Sequence, residues 1–173
     1  MGGKRTVAQR QELYGVVYYR EGMSKFESID HYAFMREALT EASNAGATGD
    51  LPIGAVVVCG GLVVGRGRNR VRSEGDKVRH AEIEALENAR NVRASRHLEC
   101  IVYTTTEPCV MCLGAIVVAD IRHVVFGLPD PAHGGSDMFA TIPYVKKQIH
   151  SYLGGILADE SRKLWFKFEG RAP

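Results

Sequence analysis

Apolar residues recur along this chain in two alternating rhythms, and the alternation predicts its layers. Met35, Ala38, Leu39 and Ala42 fall at i, i+3, i+4 and i+7, a stripe that predicts a helix from Asp30 to the breaking segment Asn44-Ala45-Gly46. Ile53 to Cys59 is an unbroken valine-rich run, the pattern of a buried strand. Gly60-Gly61 reads as a hairpin turn, and Leu62-Val63-Val64-Gly65 opens the returning strand. His80 to Asn91 is helical in period, with Ile83, Leu86 and Ala89 on one face. Ile101 to Thr104 predicts a third strand, and Met111, Ala115 and Val118 predict a helix soon after it. Arg122 to Gly127 gives a fourth strand and Gln148 to Leu153 a short fifth, separated by an aperiodic loop from Leu128 to Pro143. Leu157 to Phe168 closes the chain as a helix. Strands alternating with helices after an initial hairpin define an α/β class, a three-layer α/β/α sandwich around one mixed sheet.

Residues 1–22 share none of this periodicity. They read as an N-terminal extension without expected order, ahead of one domain over residues 23–173. The chain has 173 residues, 45% hydrophobic and 24% charged, which suffices for one domain with a real core. A formal net charge of +2 is too small to imply a nucleic-acid partner by itself. No apolar run approaches the roughly 20 residues that cross a bilayer, and no apolar segment follows Lys4 and Arg5 as a secretion signal requires.

The candidate chemistry lies in two short segments, His80-Ala81-Glu82 and Pro108-Cys109-Val110-Met111-Cys112. One imidazole and two thiolates make three zinc ligands, His80, Cys109 and Cys112. Three is the count of a catalytic site, whose fourth position stays open to water. Both segments are predicted to open helices, whose N-terminal partial charge favours the thiolate form. Zinc lowers the pKa of a bound water to about 7. Glu82, two residues from His80, stands where a carboxylate could carry that water's proton. Read alone, the Cys-x-x-Cys pair would equally suit a redox site. Cys59 and Cys100 border apolar runs and are expected as small buried free thiols. Unpaired thiols and thiolate ligands together point to a reducing, cytoplasmic setting. His31, His97, His123, His133 and His150 are read as core or surface histidines, His133 being in the loop nearest the site.

The paired segments have the H-x-E…P-C-x-x-C form of zinc deaminases. From about Asp30 to Phe168 the chain resembles the cytidine deaminase-like superfamily. Its closest likeness is to the branch of free-base cytosine and guanine deaminases and bacterial tRNA adenosine deaminases. Leu51-Pro52-Ile53-Gly54-Ala55-Val56, Gly65-Arg66-Gly67-Arg68-Asn69-Arg70 and Tyr103-Thr104-Thr105-Thr106-Glu107-Pro108-Cys109 carry the likeness. The resemblance implies a mixed five-stranded sheet, one Zn2+ per subunit and a homodimer. It also implies Glu82 as the proton shuttle and Asn69 as a hydrogen-bond partner of the base. Ala81, Asp130, Phe139 and Trp165 are expected to line the substrate pocket.

Within the branch, Glu107-Pro108-Cys109 and Gly155-Ile156-Leu157-Ala158-Asp159-Glu160 resemble tRNA adenosine deaminases. The loop Asp130-Pro131-Ala132-His133-Gly134-Gly135-Ser136 lacks the lysine those enzymes carry there. The end Leu164-Trp165-Phe166-Lys167-Phe168 is aromatic where theirs is basic. Gly75-Asp76, Leu86-Glu87-Asn88-Ala89 and the tail aromatics resemble fungal-type cytosine deaminases. Phosphate contacts supply most nucleic-acid affinity. The expectation is therefore a free-nucleobase deaminase, cytosine-like first and guanine next, releasing ammonia. A tRNA-specific adenosine deaminase is the alternative, and a non-catalytic zinc subunit is disfavoured by the presence of Glu82.

Overall fold

In the computed structural model, which describes residues 17–19, 26 and 28–170, the chain folds around a single sheet. The strands are β1 (Val17–Tyr19), β2 (Gly54–Cys59), β3 (Leu62–Arg68), β4 (Cys100–Thr106), β5 (His123–Leu128) and β6 (Ser151–Leu153). Their order is β1-β6-β5-β4-β2-β3. The β2 strand runs antiparallel to both β3 and β4, whereas β4, β5 and β6 run parallel. The five strands expected from the sequence form a mixed sheet, and β1 adds a sixth along β6. Apart from that strand, the expectation for residues 1–22 lies outside the described residues.

Helices cover both faces. They are α1 (His31–Ala47), α2 (Ala81–Asn88), α3 (Arg90–Arg96), α4 (Val110–Val118), α5 (Met138–Thr141), α6 (Pro143–Gln148) and α7 (Ala158–Phe168). Residues along β2 alternate between the two cores they build. Ala55, Val57 and Cys59 join Ala81, Ala85, Leu113 and Ile116 on one face. Val56 and Val58 join Met35, Ala38 and Tyr103 on the other. The two-residue period of a strand produces this division. Tyr103, Tyr152 and Phe126 are fully buried, and each such side chain contributes about 1.5–3 kcal/mol.

Two glycines let the helices approach the sheet backbone to backbone. A Cβ on Gly54 would collide with the Ala38 carbonyl and Ala42 nitrogen of α1, and one on Gly67 with the Ala81 carbonyl and Ala85 nitrogen of α2. The alanines of those helix faces serve the same close approach. Asp30 caps α1, its side chain accepting from the Ala33 N–H at 3.1 Å.

Several elements depart from the sequence pattern. The helix expected over 80–91 divides at Ala89 into α2 and α3. Pro143 starts α6 within the segment expected to lead into a strand, and Val145 is buried from it, so the fifth strand shortens to Ser151–Leu153. Cys59 and Cys100 are buried, as expected, but they are not free. The β2–β4 register sets them directly opposite one another, Cα–Cα 4.1 Å, and they form a disulfide. The compartment argument therefore retains only the metal-type thiols. Among the described residues, no helix is long and apolar enough to cross a membrane.

Candidate active site

The C-terminal end of β4 and the start of two helices converge on one point. His80 is the N-cap of α2, Cys109 is the N-cap of α4, and Cys112 lies in the first turn of α4. The ligand atoms of these three residues lie within 4.8 Å of one another. His80 Nδ1 is 3.6 Å from the Cys109 sulfur and 3.5 Å from that of Cys112. Zinc bonds of about 2.3 Å to sulfur and 2.0–2.1 Å to nitrogen, at a tetrahedral angle, separate those donors by about 3.6 Å. The donor set and its spacing fit a zinc ion with three protein ligands. His80 and Cys109 are half-buried, and Cys112 is buried.

The electrostatics agree with the geometry. A hydrogen bond from Cys112, assisted by His80, holds the Cys109 thiol down to about 4. The neighbouring Cys109 sulfur and burial push Cys112 up. The contact with Cys109 raises His80. The Cys109 thiolate is thus already favoured before a metal binds, and binding displaces the remaining protons.

Glu82 projects from the first turn of α2 and is 3% exposed. Burial raises its pKa, which favours a carboxyl able to hold and release a proton. The Thr104 hydroxyl donates to Glu82 Oε1 at 3.1 Å, and the Cys112 thiol also interacts with the carboxylate. This places the proton-carrying group against the metal ligands without making it one.

A carboxylate that sequence reasoning left without a role orders the opposite wall. Glu107, at the end of β4, is 5% exposed and accepts three hydrogen bonds. They come from the Asp130 N–H (3.0 Å), the Ser136 N–H (3.1 Å) and the Tyr152 hydroxyl (3.1 Å). It thereby fastens the 130–136 loop beside Cys109, where Gly134 bridges Cys109 and the Gly135 N–H donates to the Pro108 carbonyl. A Cβ at Gly134 would press on the Glu107 carboxylate, so the loop needs glycine there. The usable sequence signal was an acidic residue at the end of an apolar strand, directly before the Pro-Cys segment.

The remaining residues expected to line a pocket are found in different states. Asn69 is 1% exposed just beyond β3, with Oδ1 accepting from the Val71 N–H at 3.2 Å. Ala81 is fully buried beneath the Gly67 backbone. Asp130 turns its carboxylate toward its own loop, accepting from the Ala132 and His133 N–H groups. Phe139 is partly buried against the core, its ring 4.8 Å from that of Tyr152. Trp165 of α7 reaches the sheet edge near the site, with Nε1–H 3.4 Å from Thr106 Oγ1.

A buried acid beside three zinc-type donors, at the mouth of a mixed sheet, is the arrangement of the zinc deaminase family. Residues 28–128 match the cytidine and deoxycytidylate deaminase zinc-binding region, and the chain belongs to that family. It is 39% identical to a tRNA-specific adenosine deaminase of Haemophilus influenzae over 142 residues, 79% of this chain and 82% of that one. A solved structure from studies of A-to-I editing by tRNA:A34 deaminases superposes with a TM-score of 0.67 at 36% identity, covering 76% of this chain and 98% of the other. A Bacillus subtilis guanine deaminase structure gives 0.54 at 32% identity, over 65% and 76% of the two chains. The chain spans only 23% of the length of one curated relative and 61–66% of several others.

Proposed function

We propose that the protein deaminates adenosine to inosine in tRNA. This reverses the order set by the sequence, in which the missing lysine of the 130–136 loop put free bases first. The observation that carries it is the 39% identity, over most of both chains, with a relative named a tRNA-specific adenosine deaminase. Two surface features support it. His80 and Cys109 are half-buried, not sealed, which suits a base presented on a polymer. Arg68, at the end of β3, and Lys77, within the loop that joins Asn69 to His80, have no ion-pair partner among the described residues and are available to phosphates.

A zinc ion held by His80, Cys109 and Cys112 would supply an activated water at neutral pH. Glu82 would take one proton from the attacking water and deliver it to the ring nitrogen next to the carbon under attack. It would then take the proton of the hydroxyl added to that carbon and pass it to the amine, which leaves with the electron pair of the broken C–N bond as ammonia while the carbonyl forms. Thr104 holds the Glu82 carboxylate in place for both transfers. Asn69 orients the base edge. The balanced reaction consumes one water and releases one ammonia per inosine formed.

One zinc per subunit completes the site. We place the reaction in the cytoplasm, with its tRNA substrate. A second copy of the chain is the occupant we assign to the outer face of α4, where Val110 and Val118 are 59% and 79% exposed on either side of Gly114. The guanine deaminase likeness keeps a free-base substrate as the second reading.

The deciding experiment assays zinc-loaded protein on unmodified tRNA, free adenine, cytosine and guanine. It follows inosine and ammonia together, with tRNA affinity measured across salt concentrations. Inosine in tRNA, and affinity that weakens steeply with salt, support the proposal. Ammonia from a free base with no inosine in tRNA overturns it in favour of the second reading.

A further inference from the structure

We infer that Glu84 is a positioning residue that fixes where Asn69 meets the base, an inference that rests on the deaminase reading for what Asn69 touches. Asn69 lies at the junction between β3 and the loop leading to His80. Its N–H donates to the Ile53 carbonyl at 3.0 Å, and its Oδ1 is committed to the Val71 N–H. The side-chain nitrogen has no hydrogen-bond partner among the described residues, which leaves an NH2 donor for an acceptor on a base. A single amide can select a base edge only if its distance from the reacting atom is held. Its own loop, exposed over residues 72–78, is tied by the Arg72 and Ser73 N–H groups (2.8 and 3.0 Å) to Asp50 in the segment after α1, not to the helix that carries His80 and Glu82.

The holding comes from α2. Glu84 stands one turn after His80, its N–H donating to the His80 carbonyl at 3.1 Å, on the same helix as Glu82. Its carboxylate engages both neighbours of Asn69. Oε2 accepts from the Arg68 N–H at 2.7 Å, a donor on the open edge of the sheet that β2 does not use. Oε1 lies 2.8 Å from Arg70 Nε, off the hydrogen-bonding axis, so that this half of the grip acts through charge. The Glu84 side chain is 15% exposed and that of Arg70 35%, so solvent screens the pair in part and the part-buried hydrogen bond to the Arg68 N–H is the firmer half of the grip. One carboxylate therefore ties residues 68 and 70 to the helical turn that carries a metal ligand and the proton shuttle. The distance from Asn69 to the metal centre is set through this link and through the Gly67 packing beneath it. Glu74 also reaches Arg70, at 3.7 Å, from the exposed loop, and cannot replace a grip anchored on α2.

The test uses full-length, zinc-loaded, nitrogen-15-labelled protein. The Asn69 side-chain NH2 pair is assigned by its loss in Asn69→Ala, and is then followed in Glu84→Ala, Glu84→Gln and Arg70→Gln. Expected is a shifted or broadened Asn69 pair in Glu84→Ala with zinc content unchanged, and a KM raised about tenfold with a smaller fall in kcat. Glu84→Gln keeps an acceptor for the Arg68 N–H and should recover most of both, and Arg70→Gln should lie between. Should Glu84→Ala fail to fold, the other two variants carry the same readouts. An Asn69 pair that stays unmoved in the folded variants overturns the inference. So does a KM loss from Glu84→Ala that persists undiminished in an Asn69→Ala background. If the wild type turns over neither tRNA nor a free base, the functional reading fails, while the amide signal still decides whether Glu84 positions Asn69.

Discussion

Replacing Gly67 by alanine would disturb the site through packing alone, without touching a chemical group. The new Cβ would sit about 1 Å or more inside van der Waals contact with the Ala81 carbonyl and the Ala85 nitrogen. Both obstacles are backbone atoms of α2, so no side chain can swing aside and the helix itself must move outward. Overpacking of this kind costs about 1–3 kcal/mol, which for a chain of this size lowers Tm by roughly 2–4 °C per kcal/mol. The larger effect falls on function, because α2 carries His80 at its start and Glu82 in its first turn. A shift of about 1 Å there would open the 3.5 and 3.6 Å gaps between His80 Nδ1 and the two sulfurs, and a misplacement of that size can cost about a hundredfold in rate. Bound zinc measured by atomic absorption, Tm and turnover should all fall together. Gly46→Ala is the matched control. It lies inside α1, where the added Cβ meets only Pro52 at an ordinary 3.6 Å, and it should stabilise by about 0.5–1 kcal/mol. Wild-type zinc content and turnover in a folded Gly67→Ala protein would refute the idea that backbone contact sets the position of α2.

Three further outcomes follow from particular groups. Glu82→Gln should retain zinc yet lose about 10²–10⁴-fold in kcat, and a near-normal rate would remove Glu82 from proton transfer. After zinc is stripped under denaturing, non-reducing conditions, thiol titration should find two reactive cysteines, Cys109 and Cys112; four would show that Cys59 and Cys100 are not joined. His123 is held down to about 4 by burial and by His150, Arg122 and His31, whereas an unfolded histidine titrates near 6.5. Its contribution is therefore full above pH 6.5 and is lost as pH falls toward 4, because the unfolded chain then binds the extra proton. Tm should decline through that window, less steeply in His123→Gln, and parallel declines would count against this origin.

The layers of this fold were legible because its helices and strands bury faces of constant period. The α1 stripe Met35, Ala38 and Ala42 is fully buried, and the β2 run divides its residues between both cores. What escaped the pattern has local physical causes. Pro143 reads as a break, yet a proline costs nothing at the first position of a helix, and α6 begins there. The Cys59–Cys100 pairing depends on the β2–β4 register, which joins residues 41 apart in sequence. Spacing along the chain carries no trace of such a register when both residues look like ordinary core cysteines.

The site divides in the same way. His80, Glu82, Cys109 and Cys112 could be read from the sequence because ligand chemistry restricts both residue type and local spacing, and two helix starts then bring them together. Glu84 and Glu107 could not, since besides Arg70 and Tyr152 they act on backbone N–H groups, and every residue other than proline has one. Their partners at Arg68, Asp130 and Ser136 are chosen by where the chain passes, not by what side chain it carries there. The residues assigned to the chemistry are thus written in the one-dimensional pattern, and those proposed to set its geometry become visible only once the sheet edge and the loop are in place. Substrate choice belongs to the second group. The absent lysine of the 130–136 loop argued for a free base. Yet that loop is held by Glu107 against Cys109, and two cations without ion-pair partners among the described residues, Arg68 and Lys77, stand on the segment between β3 and His80 instead. A polymer approaching over that segment needs no lysine in the loop.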